Sequence, residues 1–260
     1  MNCKPIGFFD SGVGGISVLK TAFRLMPNEN YIYYGDNLNA PYGEKSEEQI
    51  RALSLSAAEF LYAKGVKAIV IACNTATSTS VYEMREKFNI PVISMEPAVK
   101  PALSETKEGR VLVLATPATV TQERYLSLLD KLNAGDRVIS VGCGGLVELV
   151  EQGRTDEGSI HAYLRQTLAH LNGEKIDAVV LGCTHYSFAQ AEIKSYMDAA
   201  FSADCRVFDG RHGTVRHLEN VLNDSNLECA QSSRGSVSFY SSDSRIQTTH
   251  FQQIFDSYNG

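Results

Sequence analysis

Residues 66–75, VKAIVIACNT, and residues 176–185, IDAVVLGCTH, decide how this chain is to be read. Each begins as a run of apolar, largely β-branched residues without polar alternation, as expected of a parallel strand covered on both faces. Each then passes through a cysteine into hydroxyl, amide or imidazole side chains. A helical pattern precedes both runs: Ile50, Leu53, Ala57 and Leu61 before the first, and Ile160, Leu164, Leu168 and Leu171 before the second. The spacing from Cys73 to Cys183 is also that from Ile50 to Ile160, from Ala52 to Ala162 and from Leu61 to Leu171. A duplicated unit is the simplest reading of that repetition.

Working outward, the same alternation continues. PIGFF (5–9) leads into Ile16, Leu19, Phe23 and Met26 at helical spacing and then into YIYY (31–34). Ser46 and Gln49 form a capping-box pattern, and Gly65 marks the end of the helix that follows. From Gly109 the grammar restarts with RVLVLA (110–115), a helix through Tyr125, Leu128, Leu129 and Leu132, and RVISVG (137–142). The expected fold is α/β, with two pseudo-symmetric, mainly parallel-sheet domains related by internal duplication and the active site in the cleft between them. RVFDG (206–210), a helix with Val215, Leu218 and Leu222, and SVSFYS (236–241) are too little for a third domain. They are expected to complete the first sheet, so that residues 1–97 plus 208–260 form one domain and 98–207 the other. The polar stretch from Asn223 to Gly235 reads as a surface loop.

Composition narrows the function classes. A 260-residue chain with 43% hydrophobic and 21% charged residues is neither disordered nor fibrous. The net charge of −6 and the lack of any Lys/Arg-rich run argue against nucleic-acid or anionic-membrane partners and favour small molecules. No apolar stretch reaches bilayer-spanning length, and MNCKPIGFFDSG lacks the apolar core of a signal peptide, so a cytoplasmic protein is expected. In that compartment the six cysteines are expected to be reduced, with Cys3, Cys143, Cys205 and Cys229 as packing residues. Without a CxxC pair, no metal site is expected.

Ligands of open α/β sheets bind beyond the carboxyl ends of strands, so the sequences found there carry the chemistry. They are DSGVGG (10–15), PYG (41–43), CNTATS (73–78) and CTHY (183–186). The glycines of DSGVGG can present backbone N–H groups to an anion, but the spacing is neither GxGxxG nor that of a P-loop. Ser11 can be a helix cap or a site residue. A single cysteine at a strand end is more often a small core residue. Two at equivalent places, each entering a polar loop, point to function. Paired thiols suit one reaction in particular: removal of a proton from one face of a stereocentre and delivery of another to the opposite face. A free thiol, with a pKa of about 8.5, is mostly protonated near neutrality and needs help. Asp10 can accept a proton, and His185 can accept one or stabilise thiolate by charge, although a turn residue and a surface histidine are the plainer readings of the two.

DSGVGG, PYG, ACNTAT and LGCTHY, in this order and spacing, resemble the cofactor-independent aspartate/glutamate racemase family through about residue 222. The resemblance implies interconversion of L- and D-glutamate for peptidoglycan synthesis, without a cofactor. It makes Cys73 and Cys183 the acid/base thiols, assisted by Asp10, Glu151 and His185. It also implies substrate contacts from Asp10, Ser11, Tyr42, Gly43, Asn74, Thr75, Thr184 and His185, with Thr116 and Thr119 in ATPAT. Pattern alone would leave Glu151 on a solvated helix face. Hydrogen bonds from Ser11, Asn74, Thr75 and Thr184 would stabilise the carbanion-like transition state. No lysine is marked out for a Schiff base. The implied partner is glutamate alone, and a homodimer is compatible with the chain. Three features depart from the family pattern: Ser187 where proline is usual, the glycine-rich GCGGLVE (142–148), and the loosely matching SSDSRIQTTHF near the end. Competing readings are an aspartate or hydantoin racemase, a non-catalytic ligand-binding relative, and a single-cysteine acyl-transfer hydrolase that would leave Cys73 without a purpose.

Overall fold

The computed structural model describes residues 3–106, 108–246 and 248–259. The chain divides into two compact units, Met1–Glu96 with Arg211–Gly260, and Pro97–Gly210. In chain order the first contributes β1 (Ile6–Asp10), β2 (Tyr31–Gly35), β3 (Ala68–Ile71) and β4 (Val92–Ser94). The second contributes β5 (Arg110–Ala115), β6 (Val138–Gly142), β7 (Ile176–Leu181) and β8 (Arg206–Asp209), after which β9 (Val237–Ser241) returns to the first. The sheets run β4-β3-β1-β2-β9 and β6-β5-β7-β8. Every strand pairing is parallel. Setting β9 aside, the two sheets share one strand order: β2-β1-β3-β4 matches β6-β5-β7-β8.

The apolar runs are central strands because both of their faces are covered. All of β1 and β3 is buried. In the second unit Leu112, Leu114, Val179 and Leu181 meet one layer of packing, with Ile160, Leu164 and Ile193. Val111, Val113, Ala178 and Val180 meet the other, with Val99, Ala102 and Tyr125. That partition is the two-residue period of a strand. The capping box forms as read: the Ser46 hydroxyl accepts the Gln49 N–H at 3.3 Å and the Gln49 side chain accepts the Ser46 N–H at 3.1 Å, opening the helix Glu47–Ala63. Gly65 then takes φ +75°, a left-handed value that favours glycine.

Two expectations change. RVFDG does not complete the first sheet, since β8 pairs with β7 through Ala178↔Arg206 and Leu181↔Asp209. It follows β7 and the helix Gln190–Ala200, and a βαβ crossover places the new strand beside the old one. The cysteines are not all reduced: Cys3 and Cys229 form a disulfide, with Cα atoms 4.7 Å apart, while Cys73, Cys143, Cys183 and Cys205 are free. The stretch from Asn223 to Gly235 is mostly exposed, as expected of a surface loop, except that its first two residues still belong to the helix Arg211–Asp224 and Cys229 is anchored inward. Glu29 accepts the Cys229 N–H at 2.7 Å and pairs with Lys67 at 2.6 Å, and Lys67 donates to the Leu227 carbonyl at 2.6 Å. This buried ion pair uses its remaining bonding capacity on loop backbone, which gives a polar stretch a reason to pack. No helix among the described residues is long and apolar enough to cross a membrane.

Candidate active site

In the first unit, Asp10 ends β1 fully buried, and its carboxylate accepts the Gly12 N–H at 2.9 Å. The helix Ile16–Leu25 begins at the Gly15 cap without a side-chain cap bond, so Ser11 is not its cap. A Cβ on Gly15 would stand 2.6 Å from Asp10 Cβ and 3.0 Å from Ala72 Cβ, so only glycine allows the helix to start this close to Asp10. Ser11 instead faces Cys73, whose thiol donates to the Ser11 hydroxyl at 3.6 Å.

Cys73 is the N-cap of the helix Asn74–Lys87, and its sulfur accepts the Ala76 N–H at 3.5 Å. The positive end of a helix and a backbone donor are thereby turned toward a sulfur that can carry negative charge. Beside it, Asn74 is only 3% exposed, and neither its amide nitrogen nor its amide oxygen has a hydrogen-bond partner. A buried, unpaired carboxamide costs free energy until a ligand engages it. Thr75 is buried next to it.

Tyr42 and Gly43 lie in a short 3₁₀ turn after β2. The Tyr42 hydroxyl donates to the buried Asp36 carboxylate at 2.5 Å, and the Asn39 amide donates to the same group at 2.9 and 3.2 Å. Burial, then the Asp36 bond, then the charges of Asp36 and Cys73 push the Tyr42 phenol above its ordinary range, so it stays a neutral donor. The Asp36 N–H donates to the Asp10 carbonyl at 3.0 Å. One buried acid thus ties the PYG turn to the end of β1. Asp36 is absent from the residues the motifs single out, and its one signal in the sequence is an acid directly after β2, at a carboxyl strand end.

In the second unit, the Cys183 sulfur is 3.8 Å from His185 Nδ1, and His185 Nε2 is 2.6 Å from Glu151 Oε1. Burial opposes a charge on His185, but the bonds to Cys183 and Glu151 outweigh it and raise the imidazole pKa well above its ordinary value. A protonated imidazolium can hold an N–H toward each neighbour, so the three groups form a relay from carboxylate to sulfur. Glu151 ends the helix Gly144–Glu151, one face of which is buried through Leu146, Val147 and Val150. The glycines before it allow close packing: a Cβ on Gly145 would come 2.5 Å from the Tyr163 ring. Tyr186 donates to the Cys143 carbonyl at 2.7 Å. Burial, with the nearby Cys183, pushes the Cys143 thiol up to about 12, which keeps it protonated.

Thr184 is buried between Cys183 and His185 in the 3₁₀ segment Thr184–Ala189. Ser187 is buried in that same segment, and its hydroxyl has no partner. Thr116 caps the helix Pro117–Thr121, accepting the Thr119 N–H at 3.2 Å, with the two hydroxyls 2.9 Å apart. The first unit therefore carries Asp10, Ser11, Tyr42, Gly43, Cys73, Asn74 and Thr75, and the second carries Thr116, Thr119, Glu151, Cys183, Thr184 and His185. Among the described residues no cluster of three or more His, Cys, Asp or Glu could hold a metal ion.

The chain matches the family model for Asp/Glu/Hydantoin racemase over residues 16–218. It is 44% identical to a glutamate racemase of Clostridium botulinum over 242 residues, covering 93% of both chains. Among solved structures it resembles glutamate racemase isoform RacE1 of Bacillus anthracis, with a TM-score of 0.87 and 30% identity over 99% of this chain and 96% of that one. It also resembles the Francisella tularensis glutamate racemase in complex with D-glutamate, with a TM-score of 0.84 and 30% identity over 98% and 94% of the two chains.

Proposed function

The chain belongs to the Asp/Glu/hydantoin racemase family, and from that premise we propose that it is an isomerase interconverting L- and D-glutamate and supplying D-glutamate for peptidoglycan synthesis. The observation that carries this reading is the placement of two buried free thiols. One follows β3 and the other β7, strands that hold the same rank in sheets of the same order. We take the two units as duplicated α/β domains, each providing one acid/base thiol.

In one direction the thiolate of one cysteine takes the Cα proton while the thiol of the other gives its proton to the opposite face. The sulfurs exchange protonation states, and the reverse reaction starts from that exchanged form. The difficulty is the weak acidity of the α-hydrogen, and each ~1.4 kcal/mol by which the barrier falls gives about a factor of ten in rate. Hydrogen bonds from Asn74, Thr75, Ser11 and Thr184 to the substrate would stabilise the carbanion-like transition state. At Cys183, the His185 imidazolium, held by Glu151, stabilises the thiolate and can return a proton to it. At Cys73, Ser11, the Ala76 N–H and the acceptor Asp10 take the corresponding part. The family resemblance also assigns substrate contacts to Tyr42 and Gly43 and to Thr116 and Thr119. The reading places the enzyme in the cytoplasm and makes a homodimer the assembly to look for by light scattering.

The test is isotope exchange in D₂O. Wild type is expected to acquire deuterium at Cα from either glutamate enantiomer, and Cys73→Ser and Cys183→Ser are each expected to abolish racemisation. Retained racemisation in either variant rejects the two-thiol mechanism, and a wild type that turns over aspartate but not glutamate rejects the substrate.

A further inference from the structure

We propose that Tyr33 is a positioning residue for this reaction: its hydroxyl sets the path of the 10–15 loop and hence the direction in which that loop presents its backbone. This rests on the reading of DSGVGG as part of the substrate site. The donors to the carbonyls of Gly12, Val13, Gly14 and Gly15 can be taken in turn. Val13 O accepts the Ile16 N–H at 3.1 Å, Gly14 O accepts the Ser17 N–H at 3.1 Å and its hydroxyl at 2.8 Å, and Gly15 O accepts from Val18 at 3.1 Å and Leu19 at 3.0 Å. All of these donors belong to the helix. Gly12 lies too early for the helix to reach, and the Tyr33 hydroxyl donates to its carbonyl at 2.8 Å.

The donor is held rigidly. Tyr33 is fully buried on β2, its ring 6.1 Å from Phe239 and edge-on to Phe251 at 5.6 Å. Two missing side chains leave room for the contact. A Cβ on Gly15 would stand 3.1 Å from the Tyr33 hydroxyl, and a Cβ on Gly35 would stand 2.9 Å from both the Gly12 carbonyl oxygen and the tip of Phe251. In a trans peptide the C=O and the following N–H point opposite ways, so fixing the Gly12 carbonyl fixes the direction of the Val13 N–H. Without the hydroxyl, a buried carbonyl loses its donor and the loop has cause to turn.

The strand supplies its own control. Tyr31, two residues earlier and equally buried, donates to Met26 O at 2.8 Å and Ala22 O at 3.1 Å, at the far end of the same helix. Tyr33→Phe and Tyr31→Phe each delete one buried hydroxyl and keep the ring. Tyr33→Phe is expected to raise KM for both glutamate enantiomers about tenfold, equivalent to ~1.4 kcal/mol, with little change in kcat. It is also expected to speed hydrogen–deuterium exchange of the 10–15 amides about tenfold in the absence of substrate. Tyr31→Phe is expected to leave KM and that exchange at wild-type values. Wild-type KM or wild-type exchange in Tyr33→Phe overturns the proposal, as does an equal change in Tyr31→Phe, which would signal general loosening. A wild-type chain that racemises no glutamate is a different failure, that of the proposed function, and the exchange arm then decides whether Tyr33 holds the loop.

Discussion

Cys73 and Cys183 follow equivalent strands, yet their surroundings are made of different chemistry. Around Cys73 the partners include a hydroxyl, a backbone N–H and a helix N-terminus. Around Cys183 they are a buried imidazole and, behind it, a carboxylate. The two sheets place a thiol after equivalent strands, but the groups beside that thiol differ between the units. A neutral hydrogen bond is worth ~0.5–1.5 kcal/mol and one to a charged group ~1.5–3 kcal/mol, so the two sites should respond unequally when a helper is removed.

Short of the thiols themselves, the largest effect is expected from His185→Asn, which removes the imidazole beside Cys183. A loss of about 10²–10⁴ in kcat/KM is expected from racemisation assays, the usual scale for a general acid or base. A loss no larger than that of Ser11→Ala would erase the distinction between the two sites.

Next comes Glu151→Gln, for which a loss of about 10- to 150-fold is expected from the strength of a charge-assisted bond. Its sharper signature is in the pH profile. His185 is protonated below a pKa that Glu151 helps to raise, so activity that depends on the imidazolium falls as pH rises through that pKa. Without the carboxylate, the alkaline fall should begin at lower pH. Stability follows the same sign. A folded-state pKa raised above the unfolded value of ~6.5 gives stabilisation that is full below pH ~6.5 and lost as pH rises through the folded value. The melting-temperature gap between wild type and Glu151→Gln should therefore be widest near pH 6 and narrow toward alkaline pH. A gap that widens with pH would mean that His185 is neutral in the folded protein.

Ser11→Ala should cost about two- to twelvefold, the scale of one neutral hydrogen bond, without moving the pH profile. The smallest effect on activity belongs to the disulfide. Cys3→Ser, or a reducing agent, should lower stability by ~2–4 kcal/mol in denaturant titration and leave kcat unchanged. A fall in kcat on reduction would couple the disulfide to Cys73 in the same unit.

Much of this was legible because strongly apolar runs have one comfortable home. VKAIVIAC and IDAVVLGC are central strands and could hardly lie elsewhere. Where the pattern was short, local reading failed. β8 has four residues, and the sheet it joins depends on the helix before it rather than on its own side chains. β4 has three and carried no recognisable signal. At the site, chemistry-bearing side chains at strand ends could be found, but not their pairings. Glu151 on its own looks like one more charge on an amphipathic helix, and only the fold brings His185 to it. The unpartnered amide of Asn74 has no trace in sequence, since it is a property of what surrounds the residue. The Cys3–Cys229 bond was equally hidden, because its ends are 226 residues apart.

That bond joins Cys3, in the amino-terminal segment of the first unit, to Cys229, in its carboxy-terminal segment, with the whole of Pro97–Gly210 on the intervening chain. Covalently, residues 3–229 form a closed ring. A protease that nicks it once anywhere within 97–210 therefore releases nothing. The two fragments travel as one band on a non-reducing gel and separate only after treatment with thiol.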